Sequence, residues 1–122
     1  MAKDNVSISE AELEIMKVLW QADGPITAQD VSAALKSKDW KYSTIATLFS
    51  RMVDKGAVAY EKRGRFFYYT PLISEQEYKA DQTKSFVSRL YNGSVKNLVV
   101  SLFENRQISD EDIAEIKKRF EL

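Results

Sequence analysis

Four times along the chain an apolar residue is followed by a hydroxyl residue, two further positions, an acid and another apolar residue. The segments are Ile8-Ser9…Glu12-Leu13, Ile26-Thr27…Asp30-Val31, Ile73-Ser74…Glu77-Tyr78 and Ile108-Ser109…Asp112-Ile113. Each predicts a helix start. The hydroxyl caps a free backbone N–H at the third helical position, the acid reaches back to the cap residue, and the apolar pair closes over the turn. Asp is shorter than Glu, so the pattern is expected to be strongest at Ser9 and Ser74.

The first helix is predicted over residues 9–21, burying Ala11, Ile15, Met16, Leu19 and Trp20, and Asp23-Gly24-Pro25 stops it. A second, over about 27–36, buries Val31 and Leu35. After Asp39-Trp40-Lys41-Tyr42 a third starts at Ser43 and ends at Gly56, a residue suited to a left-handed position after a helix. Its apolar residues Ile45, Leu48, Phe49, Met52 and Val53 recur at i, i+3, i+4, i+7 and i+8, which is one core-facing stripe. Residues 57–63 and 65–70 are β-branched and aromatic around Gly64, the signature of a hairpin closed by Pro71. Alternation along the second run sends half of Phe66, Phe67, Tyr68 and Tyr69 beneath the hairpin, so these rings are expected mainly in the core. Helical patterning resumes over about 74–91, 94–104 and 109–121.

Three helices, a hairpin and three more helices predict a mainly α protein with a small β-hairpin wing. Residues 1–72 form a winged helix-turn-helix and residues 73–122 a helical dimerisation region.

Composition narrows the chemistry. The 122 residues include no Cys and no His, which excludes disulfides, thiolate nucleophiles, zinc–cysteine sites and the commonest general base and metal ligand. No catalytic residue, metal or cofactor is expected. Glu10, Glu12 and Glu14 lie at i+2 spacing on a helix, and Asp110, Glu111 and Asp112 are consecutive. Neither spacing aims two carboxylates at one ion, so a metal-dependent nuclease is disfavoured, and both sets fit the positive end of a helix dipole. The N-terminus lacks the apolar core of a signal peptide, and no run approaches the ~20 residues that span a bilayer. The expectation is a cytoplasmic protein without membrane insertion. Asn5-Val6-Ser7 and Asn92-Gly93-Ser94 fit a glycosylation pattern but read as a disordered end and a turn between helices.

Eighteen basic residues balance eighteen acidic ones, yet they are segregated. Residues 1–35 carry two basic and six acidic groups, a net −4, and residues 36–65 carry eight and three, a net +5. The cationic stretch coincides with the third helix and the hairpin. With the apolar stripe inward, Thr44, Thr47 and Arg51 share one outward ridge, and Ser43, Ala46 and Ser50 the next. Small residues admit a groove floor, hydroxyls bond phosphates or base edges, and Arg binds guanine through two hydrogen bonds. Lys41 precedes this helix, and Lys62, Arg63 and Arg65 surround the hairpin tip, where cations meet phosphates. Double-stranded DNA is the partner this combination favours. Trp20 and Trp40 read as packing residues.

The last fifty residues hold too little apolar material for an independent core. Phe86, Leu90, Leu98, Leu102, Phe103, Ile113, Ile116 and Phe120 therefore point to a homodimer, which would set two recognition helices on a palindromic site.

Ile8-Ser-Glu-Ala-Glu-Leu-Glu-Ile-Met-Lys-Val-Leu-Trp20, Asp39-Trp40…Thr44-Ile45…Thr47-Leu48…Arg51…Lys55-Gly56, Phe67-Tyr-Tyr69 and Leu90-Tyr-Asn-Gly93 together resemble the penicillinase-repressor family, the BlaI/MecI group that includes the CopY copper-responsive repressors. The resemblance covers nearly the whole chain. It implies a dimeric winged-helix repressor of its own operon and of β-lactam resistance genes, bound to palindromic operators. It also implies relief by a regulatory protease that cuts the dimerisation region. Thr44, Thr47 and Arg51 match the family's recognition-helix contacts. Tyr42-Ser43 stands where a Pro-Lys pair is usual, and Ser101-Leu102 where the β-lactam-responsive members have their Asn-Phe cleavage pair. The C-terminal cysteine cluster of the copper-sensing branch is absent, which excludes thiolate copper sensing. The alternative from another class is a winged-helix module for protein association without sequence-specific DNA binding.

Overall fold

The computed structural model describes residues 6–121. Its elements run α1 (Glu10–Gln21), α2 (Ala28–Ala34), a 3-10 turn (Lys36–Lys38), α3 (Tyr42–Asp54), β1 (Val58–Arg63), β2 (Phe66–Pro71), α4 (Glu75–Tyr91), α5 (Val95–Glu104) and α6 (Asp110–Phe120). The chain gathers into two compact units, the first ending at Lys79 and the second beginning at Ala80. A mainly helical chain with one antiparallel hairpin matches the expected fold class.

The hydroxyl caps form at all four predicted starts, with one reversal. Thr27–Asp30 and Ser109–Asp112 close both bonds of the capping box, as Ser9–Glu12 does. At Ser74 the hydroxyl accepts from the Glu77 N–H but donates to the Glu77 carboxylate, so that acid never reaches the cap backbone. Side-chain length is thus not what limits the box here. Helix α2 is shorter than expected because the chain tightens into the 3-10 turn after Leu35. Helix α3 starts one residue early, at Tyr42, with Lys41 as an N-cap that supplies no side-chain bond.

The C-terminus of α3 closes as a Schellman motif: the Ala57 N–H donates to the Met52 carbonyl and the Gly56 N–H to that of Val53. This needs a left-handed residue, and Gly56 has φ +81°. Strand β1 follows directly. Antiparallel pairing runs from Val58↔Pro71 to Arg63↔Phe66, leaving Gly64-Arg65 as a two-residue turn. Gly64 takes φ +65°, the conformation required at the first position of a type II′ hairpin turn. A bridge between Ile26 and Tyr69 adds a third strand stub, which hairpin patterning does not foretell.

The first unit's core comprises Ile15, Met16 and Leu19 of α1, Val31 and Leu35, Ile45, Leu48, Phe49 and Met52 of α3, and Ala57, Val58 and Ile73. Ala11, Trp20 and Val53, expected inside, are half-buried at its margin. Trp20 lies there because its indole N–H donates to the Ile73 carbonyl at 2.8 Å, which holds the ring at the rim. The wing rings correct the sequence reading more strongly. Tyr69 stacks on Phe49 with centroids 3.9 Å apart, yet Phe66 and Phe67 remain exposed and Tyr68 half-buried. Every residue from 60 to 67 at the hairpin tip is exposed, so neither of its faces is covered there. Of the supposed disordered end, Asn5 lies outside the described residues, but Val6 packs against the core and the Ser7 carbonyl accepts from Lys55.

In the second unit, Val87 alone is buried among the described residues from Ala80 onward. Tyr91 donates to the Ser101 hydroxyl at 3.2 Å and packs against Phe86.

Candidate nucleic-acid interface

Helix α3 presents two sides of opposite character. Ile45, Leu48, Phe49 and Met52 point inward; Ser43, Thr44, Ala46, Thr47, Ser50 and Arg51 are exposed. Ser43, Thr44, Thr47 and Arg51 line a shallow groove of about 270 Å³ floored by Leu48. The predicted ridge is therefore physically continuous. On its other flank, Ala46, Ser50, Val53 and Asp54 face Tyr60, Phe67 and Tyr69 of the wing across a second groove of about 260 Å³. Tyr60 packs edge-on against Phe67 at 5.0 Å. Burial, with lesser contributions from Tyr42 and Tyr60, pushes the Tyr69 phenol above its ordinary value, so it stays protonated at neutral pH.

All three predicted wing cations are exposed, but they are not equivalent. Arg63 pairs with Glu61 on the same face of β1 and lies over the Tyr68 ring. That hydrogen bond and the nearby charge raise the Arg63 pKa further. Among the described residues, Lys62 and Arg65 have no carboxylate partner, nor do Lys41 and Arg51. Lys38 of the cationic stretch is paired with Glu14, and Lys55 with Glu12. Within the cationic stretch of residues 36–65, the charges left without a carboxylate partner among the described residues are those of Lys36, Lys41, Arg51, Lys62 and Arg65.

Composition missed the residue that fastens this surface. Glu12 is buried at 2% exposure, its carboxylate 2.7 Å from Lys55 Nζ and accepting the Ser9 N–H at 2.9 Å. Lys55 is the C-cap of α3 and also donates to the Ser7 carbonyl. One ion pair therefore ties the start of α1 to the end of α3. Burial opposes ionisation of Glu12, but the Lys55 hydrogen bond, the Ser9 bonds and the Lys55 charge together outweigh it, so its pKa is lowered. The visible signal was positional: Glu12 fills the first slot of the stripe continued by Ile15, Met16 and Leu19.

The predicted association residues sit on α4 to α6. Phe86, Leu90, Phe103, Ile116 and Phe120 are exposed, whereas Leu98, Leu102 and Ile113 are half-buried. Ser101 and Leu102 lie inside α5, both half-buried, and Asn105 Nδ2 donates to the Ser101 carbonyl. Among the described residues no helix is long and apolar enough to cross a membrane.

Comparison with known proteins matches residues 8–121 to the family model described as penicillinase repressor. The penicillinase repressor of Bacillus licheniformis is 40% identical over 109 residues, covering 89% of this chain and 85% of that protein. The methicillin resistance regulatory protein MecI of Staphylococcus aureus (strain N315) is 29% identical over 117 residues, covering 96% and 95%. The solution structure of the DNA-binding domain of the repressor BlaI superposes with a TM-score of 0.54 at 43% identity, covering 60% of this chain and 89% of that one. The monomeric form of Bacillus licheniformis BlaI in complex with the blaP half-operator gives a TM-score of 0.51 at 42% identity, covering 59% and 88%.

Proposed function

The chain belongs to the penicillinase repressor family, and we propose that it is a homodimeric transcriptional repressor that reads a palindromic operator with α3 and grips its phosphates with the wing. Its targets on this reading are β-lactam resistance genes and its own operon, and a protease relieves repression by cutting at Ser101-Leu102. The role is binding, with no catalytic step. The observation that carries the reading is the exposed ridge of Thr44, Thr47 and Arg51, flanked by Lys41, Lys62 and Arg65, which have no carboxylate partner among the described residues. Likeness to a BlaI form bound to a half-operator supports it.

Arg51→Ala is expected to weaken specific operator binding by about 1–3 kcal/mol and to lower the ratio of specific to scrambled binding. Lys62→Ala and Arg65→Ala should instead weaken all duplexes alike, each reducing the salt slope by about one. Arg63→Ala should do less, because Glu61 already neutralises it. Salt titrations of selected and scrambled duplexes measure all four; an unchanged specificity ratio for Arg51→Ala removes α3 as the reading element.

The dimer is supported by exposed apolar side chains of the second unit, among them Phe86, Leu90, Phe103, Ile116 and Phe120. A two-fold pair would set two α3 helices about 34–36 Å apart, one turn of duplex. Leu90→Glu with Phe103→Glu should yield monomers in sedimentation velocity at micromolar concentration. Affinity for a full operator should then drop by about a hundredfold while half-site binding survives. A wild-type protein that sediments as a monomer would overturn the dimer.

A protein-association role has one observation in its favour, the exposed Tyr60 and Phe67 beside α3. It predicts that no duplex selected from a random pool is retarded.

A further inference from the structure

Thr44 and Thr47 occupy the same ridge, but their hydroxyls are not in the same state. Thr47 Oγ1 donates to the Ser43 carbonyl at 2.9 Å, one turn back along α3. Among the described residues the Thr44 hydroxyl makes no hydrogen bond. A hydroxyl carries a single hydrogen. With that hydrogen committed to the helix, Thr47 has no donor left for a partner that only accepts. Phosphate oxygens, guanine O6 and N7, and thymine O4 are all pure acceptors. What Thr47 still offers from its exposed position is a methyl group and an acceptor lone pair.

From this geometry we infer that Thr47 is a specificity-determining residue that recognises the C5-methyl group of a thymine, and that Thr44 is the threonine of the ridge that donates to an acceptor on the duplex. The inference rests on α3 being the reading helix. The back-bond restricts the side chain to one of the two rotamers open to a helical threonine. The methyl is therefore held in place before DNA arrives, and little rotamer entropy remains to be lost on binding. Leu48 is the apolar residue of the groove that Thr47 lines. Arg51 lies four residues further along the helix, about 6 Å at 1.5 Å per residue. The thymine should therefore fall within about two base pairs of the guanine that Arg51 binds.

Full-length wild-type protein, Thr47→Val and Thr47→Ser are titrated against an operator selected from a random pool. The same operator is also prepared with deoxyuridine replacing one thymine at a time. Thr47→Val keeps both branches of the side chain but has no hydroxyl, and should bind within about twofold of wild type. Thr47→Ser keeps the hydroxyl but has no methyl, and should lose about fourfold, the factor carried by one buried carbon group. At one position deoxyuridine should weaken wild type and Thr47→Val by a similar factor while leaving Thr47→Ser unaffected. If Thr47→Val loses as much as Thr47→Ser, or every deoxyuridine acts equally on all three proteins, the methyl assignment fails even though the protein reads DNA. If wild type retards no selected duplex, it is the DNA-binding reading that fails. Circular dichroism of the three proteins separates either result from a change in folding.

Discussion

Phe49→Ala is expected to destabilise the first unit by about 3–5 kcal/mol, the range for truncating a fully buried phenylalanine. Phe49 has no exposed surface, belongs to the inward stripe of α3, and stacks on Tyr69 at 3.9 Å with ring planes 16° apart. The loss therefore includes the cavity, the transfer free energy of the ring and about 0.5–1.5 kcal/mol from the aromatic pair. A unit of this size has about 5–15 kcal/mol in all, so a large share of its stability would go. The same ring anchors α3 to the wing, because its stacking partner Tyr69 belongs to β2. Operator affinity should fall with stability. Urea unfolding followed by tryptophan fluorescence isolates the effect, because both Trp20 and Trp40 lie in the first unit. A shift below about 1 kcal/mol would show that the stacked pair is not a keystone of the core.

Glu12→Ala should cost about 2–3 kcal/mol at neutral pH and leave a distinct pH signature. Breaking a fully buried ion pair costs about 3–5 kcal/mol. Lys55 keeps 32% of its side chain in water, so solvent screening places this pair lower. Because the folded-state pKa of Glu12 is lowered, folding favours its ionised form. The pair therefore contributes fully above the ordinary carboxylate value, and the contribution is lost as pH falls through the lower folded value. Wild type should lose more stability than Glu12→Gln between neutral pH and about pH 3. Urea unfolding of both proteins at the two pH values gives the comparison. Parallel pH profiles would mean that folding does not favour the ionised form of Glu12. Operator affinity of a still-folded Glu12→Gln reports whether the α1–α3 tie also sets the pose of α3.

Much of this protein is legible residue by residue. The hydroxyl caps at Ser9, Thr27 and Ser109 join partners three residues apart, so the helix start itself brings them together. The α3 stripe from Ile45 to Met52 is legible for the same reason, since helical period alone decides which residues share a face. Once that face is inward, Thr44, Thr47 and Arg51 have nowhere to go but out. The neutralisation of Arg63 by Glu61 was also within reach of local reasoning, because residues two apart on a strand share a face. The unequal Thr hydroxyls needed side-chain rotamers, which the helical period leaves open.

Hydrophobic periodicity and capping chemistry by themselves determined the order of elements, the buried face of α3 and the cationic rim around it, because each depends on partners within one or two turns or on a two-residue hairpin. Tertiary structure alone decided that Glu12 would meet Lys55 forty-three residues away. It alone joined Trp20 to the Ile73 carbonyl across fifty-three. It also decided that Tyr69 would be covered while Phe66 and Phe67 stayed in water. Alternation tells which side of a strand a ring takes. How far the neighbouring helices extend along that side depends on the packing of distant segments, and so does whether a carboxylate in an apolar stripe finds its cation.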